Sequence, residues 1–215
     1  MPDELGNESQ AVGLAADVSG HVTGVTSSGF YLQDGSGAFH GVYVYEGSAP
    51  TVLEGDEVTV SGTVSEYYSL TQIQSPTVTV VSSGNILPDP LLLATGDVAG
   101  EGHEALLVTT TGTCDSEANS YGEWSLDDGS GSAMVDDQMF ETTPVLGGNY
   151  TVTGPLNYSF SNYKIETTVM DIQLYNHISK SVKSKPTTGF VTIYDILKYT
   201  PKSLFITGFN FFMTP

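Results

Sequence analysis

The chain has 215 residues, with six Lys, no Arg, 25 Asp or Glu and a formal charge of −19. Its single cysteine, Cys114, excludes an intrachain disulfide and any metal site built from cysteines, and reads as a small buried apolar residue. The first Lys is Lys164, so residues 1–163 carry a formal charge of about −22 while 164–215 carry about +3. Such a body repels phosphate, anionic headgroups and acidic polymers at long range, so no nucleic acid is expected as a partner.

Taken in order, residues 1–16 form a polar lead without a pattern. Val18–Val25 alternates and is broken by Gly20 and Gly24, which suits a strand bent at a barrel corner. Phe30-Tyr31-Leu32-Gln33-Asp34-Gly35-Ser36-Gly37, followed by Val42–Tyr45, reads as a hairpin closed by a tight Asp-Gly turn. Asp56–Val64 is a third strand with Val58 and Val60 facing inward. Tyr67, Tyr68, Leu70 and Ile73 belong to the next, and Thr77–Val81 closes the set. Five strands in about 65 residues, with no helical rhythm, fit a small closed barrel.

Ser82–Ala94 carries Gly84, Pro88 and Pro90 and reads as a linker, with Leu91–Leu93 starting a short helix or packing the linker on a barrel. The pattern then recurs. Leu106–Thr113 replaces the first strand. Trp124-Ser125-Leu126-Asp127-Asp128-Gly129-Ser130-Gly131 repeats the hairpin 94 residues on, and Gly148–Gly154 repeats Asp56–Gly62 at an offset of 92. The expected organisation is a lead (1–16), barrel one (17–83), a linker (84–94), barrel two (95–174) and a C-terminal segment (175–215). The fold class is all-β: two tandem OB-like five-stranded barrels with a C-terminal β-prone extension.

The stretches Gly20–Gly24, Phe30–Gly37 and Gly55–Gly62 resemble the OB-fold modules that accompany secreted bacterial nucleases and surface proteins. The likeness spans about two thirds of the chain and implies the fold; fold alone does not fix function.

Several residue sets could carry chemistry. Aromatic side chains on an OB face stack on bases or sugars. They are present in Tyr43, Tyr45, Tyr67 and Tyr68 and again in Tyr158, Phe160 and Tyr163, and the six tyrosines are the candidate ligand contacts, with neutral glycan as the matching ligand. Asp127, Asp128, Asp136 and Asp137 surround a carbonyl-rich turn and are the candidate calcium ligands, although the spacing of a calcium loop is missing. No other cofactor is expected. Asn7, Asn149 and Asn157 head N-glycosylation triplets. His21, His40, His103 and His177 are scattered, and the carboxylates show no catalytic spacing, so no enzyme is expected.

After His177 the charge changes sign and the chain turns apolar. Lys and Pro interrupt the apolar run, so no membrane span is expected. Phe190, Ile193, Ile196, Leu204, Phe205, Phe209, Phe211 and Phe212 are candidate assembly residues. The segment folds back on its own barrels, adds strands to a neighbouring copy, or is an extension with no native role. The expected function is a non-enzymatic extracellular or cell-surface structural protein that assembles with copies of itself into a layer or filament, its leader lying outside this numbering. The alternative is a secreted accessory binding module that uses the exposed barrel tyrosines to take a neutral glycan or other ligand, with nucleic acid ranked below these.

Overall fold

Runs of Val, Thr and Tyr interrupted by Gly favour pleated strands that can bend, and strands dominate the fold. It is seen here in a computed structural model, which describes residues 9–139, 143–167, 169 and 170. β1 (Ala15–Val25), β2 (Gly29–Gln33), β3 (Gly41–Tyr45), β4 (Glu57–Tyr67) and β5 (Leu70–Ser82) close a barrel in the order β1-β2-β3-β5-β4. Every pairing in it is antiparallel except β3–β5. β1 serves two partners. Ala15–His21 pairs with β4, His21–Val25 pairs with β2, and a register shift falls between Val22 and Gly24. Gly20 permits this crossing, because a Cβ there would lie 2.6 Å from the Gln33 carbonyl oxygen.

The connection to the second barrel is not helical at Leu91: β6 (Leu91–Leu92) lies parallel to the next strand, and Leu91 and Leu93 pack on the second core. β7 (Leu107–Ser116), β8 (Trp124–Asp127), β9 (Ala133–Asp136), β10 (Asn149–Ser159) and β11 (Asn162–Glu166) then repeat the path of the first barrel. The β10–β7 pairing closes the ring and β9–β11 is again the parallel pair. β12 (Val169–Met170) extends the second barrel on β10. The fold is all-β and OB-like in both halves.

The two cores use matching positions. Phe30, Leu32, Val60 and Ile73 fill the first; Trp124, Leu126, Val152 and Ile165 fill the second, with Cys114 buried beside them. The Asp34-Gly35 turn is not tight. A seven-residue loop, 34–40, joins β2 to β3, with the Asp34 amide donating to the His40 carbonyl at 3.0 Å. The reason is that Gly37, not Gly35, takes the left-handed backbone (φ 103°), while the Asp34 carboxylate engages the His40 ring at 2.8 Å. Residues 171–215, and with them all eight candidate assembly residues, lie outside the described residues, as does Asn7. Among the described residues no helix is long and apolar enough to cross a membrane.

Both barrels belong to one compact unit, Met1–Met170. The junction is apolar at its centre, where Tyr31, Tyr43, Leu70 and Ala105 are buried together with Met139 and Tyr158 against them. Gly41 lets the backbones touch, since a Cβ there would sit 2.5 Å from the Ala105 carbonyl carbon. Around this centre, backbone donors of one barrel find acceptors on the other. Leu107 N–H donates to Gln33 Oε1 at 2.8 Å, Thr71 N–H to Glu104 Oε1 at 2.9 Å, and Phe39 N–H to the Gly102 carbonyl at 2.7 Å.

Gln33 is itself buried and also donates from Nε2 to the Gly35 carbonyl. Replacing Gln33 by Ala strands the buried Leu107 amide, a loss of about 1–3 kcal/mol. The expected outcome is a melting temperature lower by about 2–4 °C per kcal/mol. A calorimetric melt indistinguishable from wild type would show that this bond does not hold the junction.

Candidate functional site

The site is built from two hairpin tips at equivalent places in the repeats. Tyr67 pairs with Leu70, and Ser159 pairs with Asn162, so each tip is a two-residue turn. The turn residues are Tyr68 and Ser69 (φ 51° and 68°) in barrel one, and Phe160 and Ser161 (φ 50° and 65°) in barrel two. Such turns match the twist of paired strands but require positive φ twice, which is why Asn-Gly is favoured there. An L-residue other than Gly costs about 1–2 kcal/mol in that region. Both tips nevertheless carry an aromatic residue followed by Ser. Burial gives no compensation, because Tyr68 is 81% and Phe160 89% exposed.

The tips face one another across a cavity of about 600 Å³ lined by Tyr67, Tyr68 and Ser69 from one side and Tyr158, Ser159, Phe160 and Ser161 from the other. Tyr67, Tyr158 and Ser159 also line a second cavity of about 400 Å³, so the two form one groove. The rest of the second cavity is made by Tyr31, Tyr43, Tyr45 and Leu70 and by the polar side chains of Ser28, Gln72, Gln74, Gln138 and Asn157. Among the described residues no charged side chain lines either cavity. The tip rings are braced. Tyr67 and Tyr68 meet edge to face at 4.8 Å, and Lys164 Nζ sits 5.3 Å from the centre of the Phe160 ring.

The structure distributes the sequence candidates unevenly. Tyr67, Tyr68 and Tyr158 stand at the tips, and Tyr45 is exposed at the edge of the second cavity. Tyr43 is buried in the junction, with its hydroxyl bonded to those of Thr26 and Ser28, and presents little surface. Tyr163 lines neither cavity. Its ring meets that of Tyr158 at a tilt, centroids 4.7 Å apart, and its hydroxyl donates to Glu101 Oε2 at 3.0 Å. Phe160 belongs with the tip tyrosines; its equivalence to Tyr68 at the 92-residue offset was the available signal. Gln72 and Gln74 were missed, although their alternation with core Ile73 marks one outward face.

The four aspartates do not converge. Asp127 accepts from the Gly129 and Gly131 amides, holding the β8–β9 turn. Asp128 accepts from Ser130 and Thr95, and these donors, the Ser130 hydroxyl foremost, hold its carboxyl well below the usual range. Asp136 is buried at the end of β9, 3.6 Å from Lys164 Nζ, and burial pushes its carboxyl up. Among the described residues no group of three or more His, Cys, Asp or Glu could hold a metal ion. Asn149 is exposed and accepts from Thr113. Asn157 is corrected as a glycosylation acceptor: it is buried and its Nδ2 donates to Glu166 Oε1 at 2.9 Å, so the nitrogen that would carry a sugar is enclosed.

Two carboxyls near the groove are unusual. Glu166 is fully buried; burial first, then the Asp136 charge, pushes its pKa up to about 8 from an ordinary 4.5. Glu104, in the junction, is pushed to about 8 by burial and by Glu101 and Glu66, against the pull of the Thr71 amide. One oxygen of each, Oε2, has no hydrogen-bond partner among the described residues. Lys164, the only Lys or Arg among the described residues, is buried and paired with Glu123 and Asp136.

The sequence matches no protein-family model and no curated protein. Solved structures with similar architecture include a HINa domain in complex with 20bp dsDNA, at 11% identity and a TM-score of 0.35, covering 73% of this chain and 97% of that one. Another, described as structural mimicry for functional antagonism, has 11% identity and a TM-score of 0.37, with 77% and 98% covered. The likeness is one of β-rich OB-like fold. The first of them corrects the expectation, drawn from charge, that nucleic acid is no partner: a chain of similar architecture is described in complex with duplex DNA.

The raised carboxyls set the pH dependence of folding. Below about pH 4.5 folded and unfolded chains both hold these protons, and the contribution is complete. As pH rises to about 8 the unfolded chain releases protons that the folded chain keeps, and stability falls by up to about 1.4 kcal/mol per pH unit for each group. Thermal melts should therefore show a lower melting temperature at pH 8 than at pH 5, with a shallower slope in Glu166→Gln. Equal melting temperatures across that window would contradict the assignment.

Proposed function

We propose that this protein is a non-enzymatic binding module that takes a neutral, hydroxyl-rich ligand, a glycan, between the aromatic tips of its two barrels. The observation that carries the reading is a groove whose described lining holds no charged side chain, in a chain of formal charge −19. Sugar rings offer a C–H face to an aromatic ring and hydroxyls to amide and hydroxyl partners, and the groove supplies both kinds of surface. Strained backbone held at a ligand clamp is a recurrent arrangement, and here it occurs twice, in register. The resemblance of the first repeat to OB-fold modules of secreted proteins agrees with an accessory binding role outside the cell.

Strand donation by residues 186–215 lies outside the described residues and has no observation beneath it. A second reading has one. Exposed rings also stack on bases, and a chain of similar architecture is described in complex with duplex DNA.

Calorimetric titration of the full chain against neutral glycans, and against single- and double-stranded oligonucleotides, separates the two. Saturable glycan binding that falls at least about tenfold in Tyr68→Ala with Phe160→Ala is the expected result, each lost ring contact costing about 1 kcal/mol or more. Both positions are exposed, so the pair should melt like wild type. Oligonucleotide binding lost in the same pair, with no glycan bound, would overturn the glycan reading and give the tips to bases.

A further inference from the structure

We infer that the groove holds two unlike subsites, a stacking one at the tips and a hydrogen-bonding one on the outer face of barrel one, so that its ligand is an extended chain of neutral sugars. The inference rests on the glycan reading above.

The inner subsite follows from strand register. β3 and β5 run parallel with Tyr43 beside Gln72 and Tyr45 beside Gln74. Alternation along β5 sends Ile73 into the core, so Leu70, Gln72 and Gln74 share the opposite face. Gln72 is 2% exposed, yet among the described residues no hydrogen bond holds the side-chain amide of Gln72, Gln74 or Gln138. A primary amide carries two donors and an acceptor, and here these groups meet the cavity rather than a protein partner. Asn157 faces the same cavity with its nitrogen tied to Glu166, which fixes the plane of the amide and leaves its carbonyl oxygen to accept. Sugar hydroxyls both donate and accept, and they match such a set.

The second barrel shows what this face becomes when it is closed. Matching Ile165 to Ile73 places Lys164 at the position of Gln72 and Glu166 at that of Gln74. There Lys164 is consumed by Glu123 and Asp136, and Glu166 by Asn157. One face is sealed by its own ion pairs; the other keeps uncommitted amides.

The two cavities share Tyr67, Tyr158 and Ser159, so a chain that stacks at the tips passes that waist into the amide-lined end. Filling both with one molecule makes the second contact intramolecular, and affinity rises with chain length until both are occupied.

The test is titration of the full chain with cello-, malto-, xylo- and manno-oligosaccharides of one to six units. For a sugar that binds, affinity should climb at least about tenfold with length and then level off. In Gln72→Leu with Gln74→Leu the climb should vanish while the affinity for short chains stays. A wild-type protein that binds every length equally well overturns the two-subsite inference and leaves the glycan reading standing. A Gln variant that weakens all lengths alike overturns it in the same way. Wild-type protein that binds no glycan of any length overturns both.

Discussion

The groove stands on a junction where backbone N–H groups of one barrel find their acceptors on the other. Leu107 and Thr71 send theirs across the junction to Gln33 and Glu104, and Phe39 sends its own to Gly102. A buried amide without an acceptor costs as much as a good side-chain contact contributes, so the barrels gain little freedom by separating. The apolar centre adds direction. Gly41 and Ala105 bring two backbones into contact, and Tyr31 and Tyr43, 5.0 Å apart, fill the space beside them. Two turns that are remote in sequence, at 68 and 160, are thereby held face to face without touching each other through any strand pairing.

The two barrels repeat one path of strands, and their outer faces differ in charge. In the second, Lys164 is buried with Glu123 and Asp136, and Glu166 stays neutral beside Asn157 up to about pH 8. Buried ion pairs are weak contributors to stability, but removal of one partner is strongly destabilising, so this face is committed to its internal partners. In the first, Gln72 and Gln74 take the same register with no charge to desolvate. On the glycan reading, a ligand meets dipoles on one barrel and a closed neighbour on the other.

Much of the fold was legible because period-two alternation and the repeat, at offsets of 94 and 92, are written in single residues: Phe30 and Trp124, Val60 and Val152, Ile73 and Ile165 each occupy the same core place. The site was legible in part. Tyr67 and Tyr68 are conspicuous as a pair, but a turn at 68–69 carries no Gly or Asn, so nothing local marks it as a tip. The opposite error occurred at Asp34-Gly35, where turn chemistry suggested a tight reversal and a longer loop formed. Gln33 and Ala105 look ordinary in sequence because their roles exist only once two barrels meet. Net charge misled in another way. It sums over the whole surface, whereas the described residues that line this groove are uncharged and the one described Lys stands beside a tip, 5.3 Å from the Phe160 ring.

The tips are the one place where local preference and tertiary structure disagree. Asn-Gly at either turn would fit the backbone with less strain, and neither Tyr68 nor Phe160 recovers the difference by burial. The surrounding structure over-determines both turns: ten β4–β5 pairings stand behind one and four β10–β11 pairings behind the other. A turn so constrained keeps its positive φ whatever residue occupies it, and the ring is carried at a fixed angle rather than on a mobile loop. Fixed rings lose little entropy when a ligand arrives, and the strain of about 1–2 kcal/mol per residue is met during folding instead of binding. Local disagreement of this kind is where a sequence departs from its own folding rules, and here it falls in the same place in both repeats, on the two residues that face each other across the groove.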